Sequence, residues 1–144
     1  MKLALGLAVF MGAAASFVLA QGPAMYVDQA KVAEVFTKGG ALASGEGFTA
    51  SGARRTAAGQ VEVHEKETDI FLITEGSATF VTGGKMIGGK MSKAGQWLGS
   101  DIDGGITHHL KKGDFITIPA GTPHWFKEVP ASGVTYYMVK VIKP

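Results

Sequence analysis

This chain has four histidines, twelve acidic residues and no cysteine with which to do chemistry. The most suggestive pair is Glu62 and His64, separated only by Val63. Alternate residues of a β-strand share a face, so the two side chains can converge on one ion. The same alternation fits a plainer arrangement, in which Val61 and Val63 turn inward and leave Glu62 and His64 in water. His124 stands just past Ile118-Pro119-Ala120-Gly121-Thr122-Pro123, where an apolar strand runs into a Pro/Gly turn and a histidine opens the next strand. His108 and His109 are adjacent, an arrangement more often found on a surface than around a ligand. Arg54 and Arg55 are available to an anionic molecule, although solvated arginines are the commoner case.

The elements that must position these residues are short. Asp28 can cap a helix over residues 29–38, which Gly39 ends in the left-handed conformation. Val32, Val35 and Phe36 share one face of that helix, and Val27 can staple onto Val32. Beyond it, strands are expected at 48–56, 60–64, 70–74, 77–82, 106–110, 114–118, 124–129 and 134–142. Turn signals separate these runs at short intervals, and the 21 glycines supply many tight turns. That spacing argues for a sandwich or barrel and against alternating strand–helix units. Residues 85–105 are glycine-rich and carry Met86, Met91, Trp97 and Leu98. They fit either a loop that shapes a pocket over the barrel mouth or a surface hairpin with Trp97 tucked onto the sheet.

The N-terminus reads as a secretory signal. Lys2 precedes an apolar run, and Val18-Leu19-Ala20 offers the small residues that a signal peptidase needs. Cleavage after Ala20 would leave residues 21–144 as a single domain in the periplasm or outside the cell. The alternative is a retained anchor, but the stretch is marginal for the roughly 20 apolar residues of a span. The absence of cysteine rules out a disulfide framework and thiolate metal ligands. Net charge is +2, and removing Lys2 brings it to +1. Basic residues cluster only at Arg54-Arg55 and Lys111-Lys112, so no nucleic-acid footprint is expected, nor a membrane surface after signal cleavage. There is no Gly-x-Ser-x-Gly, no P-loop and no Gly-x-Gly-x-x-Gly opening a helix.

Two stretches together resemble the motifs of the cupin superfamily. Gly113, then five residues, Pro119, Ala120, Gly121, two residues and His124 follow its second motif. Glu62-Val63-His64, then four residues, Asp69, then six residues and Gly76 have the spacing of its first. The resemblance implies an all-β, cupin-like antiparallel β-barrel of jelly-roll type, here with a short N-terminal helix. It implies that Glu62, His64, Asp69 and His124 line the interior and hold a divalent metal ion, manganese, iron or zinc. Two imidazoles and a carboxylate form the facial set typical of non-haem iron, and a second carboxylate favours the harder ions. Two positions depart from the pattern: Glu62 replaces a histidine and Asp69 replaces a glutamate. Asp69 reaches roughly 1.5 Å less far than glutamate would. It can therefore bind directly, bind through water or orient a histidine, while Glu62 can be a ligand or a general base.

By strand parity, Phe71, Ile73 and Phe126 would wall the pocket and His108 would be an auxiliary, while His109 and Trp125 face away. Two functions are consistent with this resemblance. One is a metal-dependent enzyme of dioxygenase, isomerase or lyase type, with Glu62 or Asp69 moving a proton on a small polar or anionic molecule. The other is a non-catalytic module that binds a small ligand in the same barrel. The resemblance also implies a homodimer.

Overall fold

The computed structural model describes residues 22–143, so the expected leader, residues 1–20, lies outside the described residues. One helix, α1 (Gln29–Lys38), precedes twelve strands. These are β1 (Gly40–Gly45), β2 (Phe48–Arg55), β3 (Val61–His64), β4 (Glu67–Thr82), β5 (Lys85–Ile87) and β6 (Lys90–Lys93). They continue as β7 (Gln96–Gly99), β8 (Asp101–Asp103), β9 (Ile106–Lys111), β10 (Phe115–Ile118), β11 (His124–Glu128) and β12 (Val134–Ile142).

The helix is bounded as its caps dictate. Asp28 accepts the Lys31 N–H at 2.8 Å, and Gly39, at φ 74°, donates to the Val35 carbonyl at 2.7 Å. Val35 is buried, and Phe36 meets Tyr137 of β12 edge-on with ring centroids 4.6 Å apart. Gly52 makes this docking possible, because a β-carbon there would come within 2.8 Å of Val35 Cγ1.

Strand β4 is the spine. The sequence suggested two strands interrupted at Glu75-Gly76, but the chain runs through as one strand of 16 residues. Its first half pairs with β12 and β10, and its second half pairs with β9 and β11. All these pairings are antiparallel. One sheet therefore runs β1-β2-β12-β4-β10 and the other β9-β4-β11-β3-β7-β6. The handover falls at Gly76, where φ is 76°, and the register against β12 slips just before it, between Ile73 and Glu75. A β-carbon at Gly76 would collide with the Gly133 carbonyl, so the crossing point requires glycine.

Between the two sheets lies one core of Phe71, Ile73, Ala78, Phe80, Leu110, Ile118, Phe126, Val134 and Tyr136. Phe80 and Phe126 pack with centroids 4.6 Å apart, and Phe71 joins them at 5.9 Å and 6.0 Å. Burying each phenylalanine stabilises the fold by about 1.5–3 kcal/mol.

Residues 85–105 are strand rather than loop. β6 and β7 form a hairpin that extends the second sheet beyond β3, while β5 and β8 pair as a separate ribbon. Trp97 lies opposite Val63 and donates its indole N–H to Glu65 at 2.7 Å. Val61 is fully buried outside the main core, opposite Gly99, and Met86 lies close over that glycine. The valine side of β3 is thus covered here, which leaves Glu62 and His64 free to face the interior.

Candidate metal centre

Three strands deliver the candidate ligands. β3 carries Glu62 and His64, β4 carries Asp69, and β11 carries His124. Register brings them together: His124 pairs with Glu62 on one side and Thr82 on the other. His64, Asp69 and His124 are all buried, and Glu62 is partly so.

The donor atoms converge. His64 Nε2 lies 3.4 Å from Glu62 Oε2 and 3.5 Å from Asp69 Oδ2, and His124 Nε2 lies 3.5 Å from the same Asp69 oxygen. Ligands about 2.0–2.2 Å from one ion stand roughly 3–3.5 Å apart in octahedral or tetrahedral geometry. One ligand atom from each of Glu62, His64 and His124 falls within 4.8 Å of the others. His64, Glu67 and Asp69 form a second such set, and Asp69 Oδ2 reaches both histidines despite its short side chain.

The protons make the case for a cation more directly. His124 Nδ1 lies 3.1 Å from the Thr122 carbonyl, which takes its N–H and leaves Nε2 as a lone pair facing a carboxylate oxygen. Burial holds the His124 pKa below the ordinary imidazole value, outweighing the backbone bond and the nearby carboxylates that raise it. A neutral imidazole lone pair against a carboxylate oxygen is repulsive, and a metal ion between them removes the repulsion. The residues present fit such an ion.

A shell of fixed charges surrounds the cluster. Lys140 Nζ donates to Asp69 Oδ1 at 2.7 Å and stands 2.9 Å from Glu67 Oε2. Burial opposes the Lys140 charge, but hydrogen bonds and attraction from Asp69 and Glu67 raise its pKa. Arg55 bonds Glu62 Oε1 at 3.3 Å and the Tyr136 hydroxyl at 3.2 Å, with its guanidinium over the Phe126 ring. Contact with His64 chiefly lowers the Glu62 pKa, burial works against it, and His124 and Arg55 add to the lowering.

A cavity of about 650 Å³ opens onto this cluster. Glu62, His64, Glu67 and Asp69 line it, as do Phe71 and Phe126. Two expected wall residues do not: Ile73 is packed in the core, and His108 holds Thr82 Oγ1 at 2.8 Å away from the cavity. Parity placed both on an inward face but does not say how far along that face the cavity extends. Lys93 and Gln96 of the β6–β7 hairpin also line the cavity, so this segment both extends the sheet and shapes the mouth.

Sequence reasoning missed Glu67, Lys140 and Tyr136. Glu67 shares the parity of Asp69, and Lys140 is a lone charge inside the apolar run of β12, so a faint signal existed for each. Arg55 was read as solvated, but it is half-buried against Glu62.

The fold is that of a cupin domain. No protein-family model matches the sequence, and no curated protein matches it. Solved structures do match. The cupin domain of Schizosaccharomyces pombe Cnp3 superposes with a TM-score of 0.53 at 16% identity, over 73% of this chain and 60% of that one. BH2720 from Bacillus halodurans gives 0.61 at 15% identity, over 85% of each chain. TT1209 from Thermus thermophilus gives 0.56 at 17% identity, over 84% of this chain and 100% of that one. Likeness at such identities carries the fold and leaves the function to the site itself.

Proposed function

We propose that this protein is an exported, metal-dependent cupin enzyme acting on a small polar or anionic molecule, as a homodimer. The observation that carries the reading is the pair of Nε2 atoms, from His64 and His124, both facing Asp69 Oδ2 at 3.5 Å. Glu62, His64, Asp69 and His124 would hold one manganese, iron or zinc ion. When bound, the ion supplies a Lewis acid that polarises a substrate oxygen. Around it, Phe71 and Phe126 wall the cavity, while Arg54, Arg55, Lys93 and Lys140 outnumber Glu62, Glu67 and Asp69 by one charge. A divalent ion widens that excess, which supports an anionic substrate. Glu62 would hold or move the proton from its place beside the ion.

One observation favours the second reading, a non-catalytic module that binds a small ligand. Glu62 is held by Arg55 with its pKa lowered, which makes it a weak base near neutral pH. Elemental analysis of untagged protein purified without chelator tests the metal. An aerobic screen of small sugars, phenolics and keto acids with manganese- and iron-loaded protein, beside Glu62→Gln, tests the chemistry. Turnover that Glu62→Gln abolishes supports the enzyme. Ligand-induced thermal shifts without turnover, unchanged in Glu62→Gln, support the binding module. A folded sample with less than about a tenth of an equivalent of any first-row metal ends the metal-dependent reading.

A further inference from the structure

Among the described residues, His64 Nδ1 stands alone as a buried side-chain nitrogen or oxygen with no hydrogen-bond partner. His64 is 5% exposed, so water does not readily supply one. A buried unpaired polar atom is costly and calls for an explanation. His124 places its Nδ1 on the Thr122 carbonyl. For His64, the acidic group facing Nδ1 is Glu67, with Oε2 at 3.6 Å. Glu67 and Asp69 share one face of β4, and Lys140 reaches across from β12 to tie their carboxylates together, at 2.9 Å and 2.7 Å.

We propose that Glu67 is the positioning residue of His64, its carboxylate accepting a hydrogen bond from Nδ1–H, while Lys140 clamps Glu67 in place for that task. At 3.6 Å the two atoms are roughly a few tenths of an ångström beyond hydrogen-bond distance, a gap that a small rotation of the Glu67 side chain would close. With its proton on Nδ1, the ring presents Nε2 as the atom facing Glu62 and Asp69, the atom a cation needs. The bond also fixes the ring plane and raises the basicity of Nε2, as carboxylates behind metal-bound histidines do. Lys140 serves both sides of the site. It holds Asp69 by Oδ1 so that Oδ2 alone faces the histidines, and it holds Glu67 against swinging into the open cavity. The purpose of this device rests on the metal reading, but the hydrogen bond itself does not.

The test reads the ring proton as well as the affinity. Long-range ¹H–¹⁵N NMR on histidine-labelled protein would be recorded on zinc-loaded and chelator-treated samples of the wild type, Glu67→Ala, Glu67→Gln and Lys140→Met. The wild type should show a slowly exchanging proton on His64 Nδ1 in both samples. Glu67→Ala should lose that slow exchange and weaken zinc binding about 10–100-fold. Glu67→Gln, whose amide oxygen still accepts, should keep the slow proton and most of the affinity. Lys140→Met should speed the exchange without abolishing it. A residue with a purely structural role would change the melting temperature and leave the Nδ1 proton alone. The proposal is overturned if wild-type Nδ1 carries no proton in the chelator-treated sample. It is also overturned if Glu67→Ala leaves the exchange unchanged in a folded protein. A wild type that binds no zinc overturns the metal reading instead, and the chelator-treated spectra still decide the role of Glu67.

Discussion

Lys140 Nζ stands 2.7 Å from Asp69 Oδ1, directly across the pairing of β4 with β12. The other oxygen of the same carboxylate faces His64 and His124. Asp69 is 2% exposed, so its charge is balanced by fixed neighbours rather than by water. The aspartate is one methylene shorter than the expected glutamate, and its oxygens are aimed by a lysine on the adjacent strand.

Removing that lysine leaves a buried carboxylate without its ammonium partner. Lys140→Met should destabilise chelator-treated protein by about 3 kcal/mol, the scale seen when one member of a buried pair is lost. A bound divalent ion restores the charge balance, so the loss should be smaller in metal-loaded protein. Urea unfolding of both forms measures the difference. Equal losses with and without metal would mean that Asp69 does not share its charge with the ion.

Acid should weaken the metal-free fold in two stages. The folded pKa of His124 lies below its ordinary value of 6.5, so the unfolded chain takes up that proton first as pH falls. Stability is therefore full above about 6.5 and declines as pH drops towards the lowered value. Glu62 and Glu67 also titrate below their ordinary 4.5 in the fold, the first through contact with His64, the second because Lys140 outweighs its burial. They add a second decline, beginning near that value. Urea midpoints followed from pH 8 down to about pH 2.5 should show both, and His124→Gln should remove the first.

Metal should stabilise the fold by mass action. At a free-ion concentration a hundred times Kd, the gain is about 2.7 kcal/mol. Manganese and zinc should each raise the melting temperature of the wild type in a concentration-dependent way. The double variant His64→Ala with His124→Ala should remain folded and show no such rise. A full shift in that variant would place the ion elsewhere.

Two glycines with similar backbone angles should respond differently to alanine. Gly76 has φ 76° and Gly121 has φ 81°. A β-carbon at Gly76 meets the Gly133 backbone, whereas one at Gly121 meets nothing within 4 Å. Gly121→Ala should cost only the left-handed strain of about 1–2 kcal/mol. Gly76→Ala should cost more and loosen the crossing of β4 between sheets, read as faster amide exchange at Thr74 and Ser77.

Much of the fold was legible in the sequence because its signals are local. Asp28 and Gly39 bound the helix, and the terminal strand, residues 134–142, runs where the pattern placed it. Glu75-Gly76 looked like a break and is a kink within one strand, because a single positive-φ glycine changes the direction of a strand as readily as it ends one. Within residues 85–105 a hairpin carrying Trp97 was one of two readings, and the sequence did not choose between them, since glycine-rich polar strands carry weak alternation.

The sequence by itself put Glu62 and His64 on one face of a strand and His124 at the start of another. Period two is a property of the backbone, and it holds wherever the strand lies. It did not say which face would be enclosed. That was decided when the segment carrying Met86 and Gly99 covered Val61 from the far side. Nor did it disclose Lys140, which meets Asp69 from 71 residues away. Antiparallel register pairs residues by their position across the sheet, and only the folded chain sets that register. The tertiary structure therefore decided which charges balance the histidines and which carboxylates are free to face an ion.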